Sequence, residues 1–184
     1  MRWLTMAALA IPGLALCANP AGPCVSGPRV GQRPGPYSFV MSTGEQRGKS
    51  HCYICETENR PAVIVFARTL SEPLGKLAAG LDKALATHKA NDLRGWTTIL
   101  HEDHSKIDAD VVAWAKKHAV RTLPVGVFED VEGPPSYRLH SDADITVLLF
   151  VNKKVVVNHA FRAGELTEAK IKAILDELPK IVGK

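Results

Sequence analysis

Pro61 is followed by six consecutive apolar residues, Ala62-Val63-Ile64-Val65-Phe66-Ala67. A strand with one face in water alternates apolar and polar side chains, whereas a strand covered on both faces is apolar throughout. The run is therefore predicted to be a central strand, and a chain that holds one must supply a layer for each face of its sheet. The next segments provide candidates. Leu74, Leu77, Ala78, Leu81 and Leu85 recur at helical spacing behind Ser71, a good N-cap residue, which predicts a helix ending near His88. Residues 96 to 100 read as a second buried strand. Ile107, Val111, Trp114, Ala115 and His118 line one face of a second helix, opened by Asp108 or Asp110. Residues 125 to 128 form a short strand, and 129 to 141, with Gly133-Pro134-Pro135, are irregular. Two β-rich runs, 145 to 151 and 155 to 161, are joined by Asn152-Lys153-Lys154, a hairpin by length and composition. Thr167 caps a last helix carrying Ile171, Ile174, Leu175 and Leu178, which Pro179 and Gly183 end. This order predicts an α/β domain: a mixed sheet of four or five strands with helices on both faces.

The first eighteen residues read as a secretory signal, with Arg2 as a short positive start and an apolar stretch from Trp3 to Ala18. That stretch is shorter than the roughly 20 residues a spanning helix needs, so no stable membrane span is expected after cleavage. Cleavage falls after Cys17 or Ala18; lipid attachment at Cys17 is the minority alternative. Residues 19 to 36 are rich in Pro and Gly and read as an extended tether, with the folded domain covering 37 to 184. The expected setting is secreted or periplasmic, where disulfides persist. Lys and Arg number 23 against 19 Asp and Glu, spread without a basic block, and aromatics are few at five Phe, three Trp and three Tyr. A nucleic-acid partner is not expected on those grounds.

The mature chain keeps Cys24, Cys52 and Cys55, of which two form one Cys-x-x-Cys, Cys52-Tyr53-Ile54-Cys55. The pair has three readings. A structural disulfide would close only a four-residue ring, and the chain-entropy gain shrinks with loop length. A redox pair has the right spacing and compartment. Half of a metal site would need further ligands, and His51, Cys24, His101 and His104 are the available ones. Glu56 follows Cys55 where a c-type haem motif has His, so no haem is expected, and no cofactor or metal is assigned. The string His101-Glu102-Asp103-His104 follows the second buried strand, and its simplest reading is a solvated turn. Cys24, in the tether, is expected to be exposed and able to pair with another chain.

Several strings resemble the thioredoxin-like superfamily, most closely its secreted redoxin and peroxiredoxin-like branches. Leu148-Leu149-Phe150-Val151-Asn152-Lys153-Lys154-Val155-Val156, then Ala163-Gly164-Glu165-Leu166 and the last helix, look like the closing hairpin and helix of a thioredoxin. Gly48-Lys49 followed by Val63-Ile64-Val65-Phe66-Ala67 resembles the redoxin entry to the central strand, with an insertion between. The resemblance covers residues 37 to 182 and implies a thioredoxin-like mixed β-sheet flanked by helices, with a C-terminal hairpin and helix.

In that family the redox Cys-x-x-Cys heads the helix after the central strand, where the helix N-terminus lowers the first thiol's pKa. Aligned on Phe66 and Pro73, this chain has Ser71 and Leu74 at those two places, and Ser71 reads as a plain helix cap. The family's cis-proline falls either at Pro124 or at Ile145. Cys52 and Cys55 lie instead in the insertion before the central strand, a strand about 20 Å long at roughly 3.3 Å per residue. They are the candidate catalytic residues for exchange with protein thiols or disulfides, with His51 helping to stabilise the thiolate. The alternatives are a redox-inactive binding module whose disulfide pins the inserted loop, or, by likeness to copper-delivering members, a copper- or zinc-binding protein.

Overall fold

The computed structural model describes residues 22–183; the expected signal, with Cys17, lies outside the described residues. The elements are β1 (Phe39–Met41), β2 (Ser50–His51), α1 (Tyr53–Thr57), β3 (Ala62–Ala67), α2 (Glu72–Thr87), β4 (Arg94–Leu100), α3 (His104–Lys117), β5 (Val125–Phe128), β6 (Ile145–Val151), β7 (Lys154–Phe161), α4 (Glu168–Asp176) and α5 (Pro179–Val182). They form an α/β fold around one mixed sheet, ordered β2-β1-β5-β4-β3-β6-β7. β3, β4 and β5 run parallel, while β6, β7, β1 and β2 pair antiparallel.

β3 is buried along its whole length, as its unbroken apolar run predicts, with β4 on one side and β6 on the other. Its side chains divide by parity between two cores. Val63, Val65 and Ala67 face a layer built by Leu74, Leu77, Ala78 and Leu81 of α2, Val111, Trp114 and Ala115 of α3, and the apolar sides of α4 and α5. Ala62, Ile64 and Phe66 face a second cluster with Tyr37, Phe39, Trp96, Tyr137 and Phe150. All the helices of more than five residues thus cover one face. The other, expected to carry helices as well, is closed by α1, a 3₁₀ turn at Pro135–Tyr137 and residues 22–36.

That last segment, read from its composition as an extended tether, turns at Arg29–Gln32 and is fixed to the sheet. Ser26 is 3% exposed; its hydroxyl bonds the Thr146 hydroxyl at 2.8 Å and accepts from the His140 amide at 3.0 Å. The Asn158 side-chain amide donates to the Ser26 and Pro28 carbonyls, and Gly31 and Gln32 exchange backbone hydrogen bonds with Val155. A segment too polar to build a core can still dock when its backbone groups find partners.

The caps at Ser71 and Thr167 are present, their hydroxyls accepting from the Leu74 and Lys170 amides. α3 begins four residues before Asp108, because Asp103 takes the cap and accepts from the Ser105 amide. The last helix breaks at Glu177–Leu178 and resumes at Pro179, which suits a first helical turn because it has no amide to satisfy. The hairpin turn is two residues, Asn152 and Lys153, both at positive φ. Seven strands stand among the described residues where four or five were expected, because β1 and β2, at three and two residues, are too short to read by period. Gly126 lets β1 approach β5: a Cβ there would lie 2.4 Å from the Val40 carbonyl oxygen.

Candidate functional site

Cys52 and Cys55 are joined by a disulfide with their Cα atoms 5.4 Å apart. Cys52 is the N-cap of α1 and Cys55 stands one turn on, its amide donating to the Cys52 carbonyl at 3.1 Å. The sequence reading placed no helix here; five residues carry no readable period. The two residues between the cysteines are the anchors. Tyr53 packs on Trp96 and Phe39, with ring centroids 5.6 Å and 6.0 Å away, and Ile54 packs against the same cluster. Their burial turns the sulfurs outward, so that Cys55 is exposed and Cys52 half-buried.

α1 has side-chain anchors besides the disulfide. The buried Thr57 hydroxyl donates to the Tyr53 carbonyl at 2.8 Å, and the Arg60 guanidinium donates to the carbonyls of Thr57 at 3.2 Å and Glu56 at 2.5 Å, satisfying the helix's C-terminal acceptors. Burial, reinforced by the Glu56 charge, pushes the Tyr53 phenol up and keeps it neutral near pH 7. The His51 ring lies 4.2 Å from that of Tyr53, with its Nε2 3.3 Å from a Glu56 carboxylate oxygen.

Beside Cys55 is a cavity of about 160 Å³, with Arg33, Pro34, Ile54, Phe150 and Lys153 in its walls. Phe150 pairs with Ala62, the first residue of β3, and Asn152 donates to the Asn59 carbonyl. The cysteine pair therefore sits where β3 begins, at the end of the sheet opposite the head of α2.

At that other end, α2 runs 16 residues from its Ser71 cap, and Leu74 is fully buried in the helical core. Ile145 opens β6 opposite Ala67, whereas Pro124 precedes β5. The Thr69 hydroxyl donates to the Asp144 carboxylate at 2.9 Å, and the Arg68 guanidinium donates to the carbonyls of Ala143, Val131 and His140. A cavity of about 220 Å³ remains there, lined by Thr69, Ser71, Pro73, Asp144, Ile145 and Leu166 among others, and it contains no cysteine.

The side chains considered as metal ligands have separate partners. His101 Nδ1 meets the Asp103 backbone at 2.9 Å, and His104 Nε2 lies 3.1 Å from Asp108 and 3.3 Å from the Ser42 hydroxyl. The solvated turn read at 101–104 is therefore a built helix start. Among the described residues no group of three His, Cys, Asp or Glu is arranged to hold a metal ion. Cys24, expected to be exposed, is partly covered near Arg162, Glu165 and Asp142; burial pushes its thiol up against the pull of Arg162. Arg60 and Arg68 act as carbonyl caps through contacts that no local sequence pattern signals.

No protein-family model and no curated protein matches the sequence. Solved structures do. A Chlorobium tepidum protein assigned as a thiol:disulfide interchange protein DsbE aligns with TM-score 0.62 at 16% identity, over 84% of this chain and 99% of its own. A Bacteroides thetaiotaomicron protein assigned as a protein disulfide isomerase gives 0.63 at 19% identity, over 85% and 91%. A secreted Mycobacterium tuberculosis disulfide oxidoreductase gives 0.51 at 10% identity, over 79% and 93%. Identities this low carry the fold and nothing finer. The mixed sheet, its flanking helices and the terminal hairpin and helix make this a protein of the thioredoxin-like fold, with Ser71 and Leu74 at the head of α2 and its Cys-x-x-Cys before the central strand.

Proposed function

We propose that the protein is an extracytoplasmic thiol-disulfide exchange protein working through Cys52 and Cys55. The observation that carries this reading is the outward-facing disulfide at the rim of a cavity, held on a helix that is already secured by Thr57 and Arg60. A bond that is not the only anchor of α1 is free to open.

Exposure assigns the roles. In the reduced state the Cys55 thiolate attacks a partner disulfide, forming a mixed disulfide while the partner's departing sulfur takes a proton. Cys52 then attacks the Cys55 sulfur, releases the second partner thiol and restores the Cys52–Cys55 bond. The partner disulfide gains the two electrons that the cysteine pair loses. A five-residue helix lends little dipole to either sulfur, so the Cys55 thiolate is favoured chiefly by its exposure to water, and His51, when protonated, adds positive charge next to Cys52 in the chain. The basic start and apolar stretch of residues 1–18 support a signal peptide and hence a secreted or periplasmic setting, and no helix among the described residues is long and apolar enough to cross a membrane.

Insulin-disulfide reduction and equilibration in glutathione buffers test the reading. Expected are measurable reduction by the parent, its loss in both Cys52→Ser and Cys55→Ser, and a potential above about −250 mV; a potential below about −300 mV with slow exchange would assign the bond a purely structural role.

A further inference from the structure

Arg33 stands in the wall of the cavity beside Cys55. Arg33 also lines a larger groove of about 670 Å³ between residues 25–33 and the turn at 136–140, into which Arg29, Arg138 and His140 also project. No carboxylate lines this groove, and among the described residues Arg29, Arg33 and Arg138 make no ion pair with any acid. Residues 1–21 contain no Asp or Glu. The walls are fixed: Ser26 is tied to Thr146 and His140, Gln32 to Val155, and the Tyr137 hydroxyl donates to the Gly35 carbonyl at 2.9 Å. A guanidinium presents forked donors that match a carboxylate, and three of them left without acids on a preorganised surface favour an anionic ligand. Tyr137, the aromatic residue of the groove, is fully buried, so the stacking surface that a nucleic acid uses is missing. At the Cys55 end the charge stays mainly positive, with Arg33 and Lys153 against Glu58, whose carboxylate lies 3.9 Å from Arg60.

We propose that this groove recognises an acidic polypeptide segment and so delivers the adjoining cysteine of a substrate protein to Cys55. The proposal rests on the exchange reading above and adds its substrate class: proteins whose exchanging cysteine is flanked by Asp or Glu. Each partly exposed Arg–carboxylate contact contributes a factor of about 2 to 5, so two or three together give about ten-fold.

The test uses the full mature chain and two synthetic peptide disulfides, one with three Asp beside the cysteine and one with Asn in their place. At low ionic strength the acidic peptide should react about ten-fold faster, an advantage that shrinks at about 0.5 M salt. It should also shrink in Arg29→Gln/Arg138→Gln, whose fold is checked by its urea midpoint. Equal rates for the two peptides in the parent overturn the proposal, as does competition by an oligonucleotide or heparin but not by the acidic peptide. Neutral hydroxyethyl disulfide separates the two readings. If the parent fails to exchange even with that, the exchange reading falls, and fluorescence anisotropy with a cysteine-free acidic peptide decides the groove alone: binding lost in the double variant sustains it, and no binding to the parent overturns it.

Discussion

The two ends of the central strand have different chemistry. Where β3 ends, the head of a 16-residue helix offers an ideal setting for a low-pKa thiol, and the chain places there a hydroxyl cap, a fully buried leucine and an Arg68 spent on three carbonyls. Where β3 begins, a five-residue helix offers little electrostatic help, yet it displays a disulfide to solvent beside a basic cavity. The first end is built for cohesion. The second has its anchors, Tyr53 and Ile54, half-buried between a half-buried Cys52 and an exposed Cys55. Within one fold, the position that would suit a reactive thiol best can hold a helix cap and a core residue while the cysteine pair stands elsewhere.

Substitutions at the two ends should therefore separate stability from exchange. Leu74→Ala should cost about 3 kcal/mol, because it empties a fully buried site, and should leave insulin reduction per folded molecule unchanged; exchange falling faster than the denaturant midpoint would place chemistry at the α2 end. Cys52→Ser should do the opposite, ending exchange while costing no more than about 2 kcal/mol for a ring this small, and a larger shift of midpoint would make the bond a structural staple. Ser71→Ala should cost about 1 kcal/mol through the lost cap. Exchange lost with it would mean that Ser71 takes part in the reaction.

The smallest effect concerns Asp108 at the start of α3. Burial works against its charge, but the Arg47 guanidinium at 2.6 Å, the Ser42 hydroxyl and His104 hold its carboxyl below the usual range. A folded pKa below the unfolded one gives stability that is present above about pH 4 and lost as pH falls through the folded value. Urea midpoints from pH 5 to pH 2.5 should thus fall slightly more steeply for the parent than for Asp108→Asn, by under about 1 kcal/mol. Parallel curves would remove the carboxylate from the acid response.

Much of this was legible in the residues. The β3 run, the α2 and α4 caps, the 125–128 strand, the terminal hairpin and the misplaced Cys-x-x-Cys are local patterns, readable because side-chain period and capping chemistry act over a few residues. β1 offered no such sign, its three residues Phe39, Val40 and Met41 all being apolar. α1 had none, since its residues are helical through the burial of Tyr53 against Trp96 and the capping by Arg60, contacts made across the chain.

By itself, then, the sequence determined the order of the longer strands and helices, the absence of cysteine from the head of α2 and the presence of one close pair, because each depends on residue identity or on neighbours within a turn. Tertiary structure decided which face the helices share, that Ile145 and not Pro124 meets the end of β3, that the Gly/Pro segment docks on the sheet, and that Cys55 faces solvent beside Arg33. Those outcomes arise from burial and hydrogen bonding between residues as far apart as Ser26 and Asn158, and no local window contains both partners.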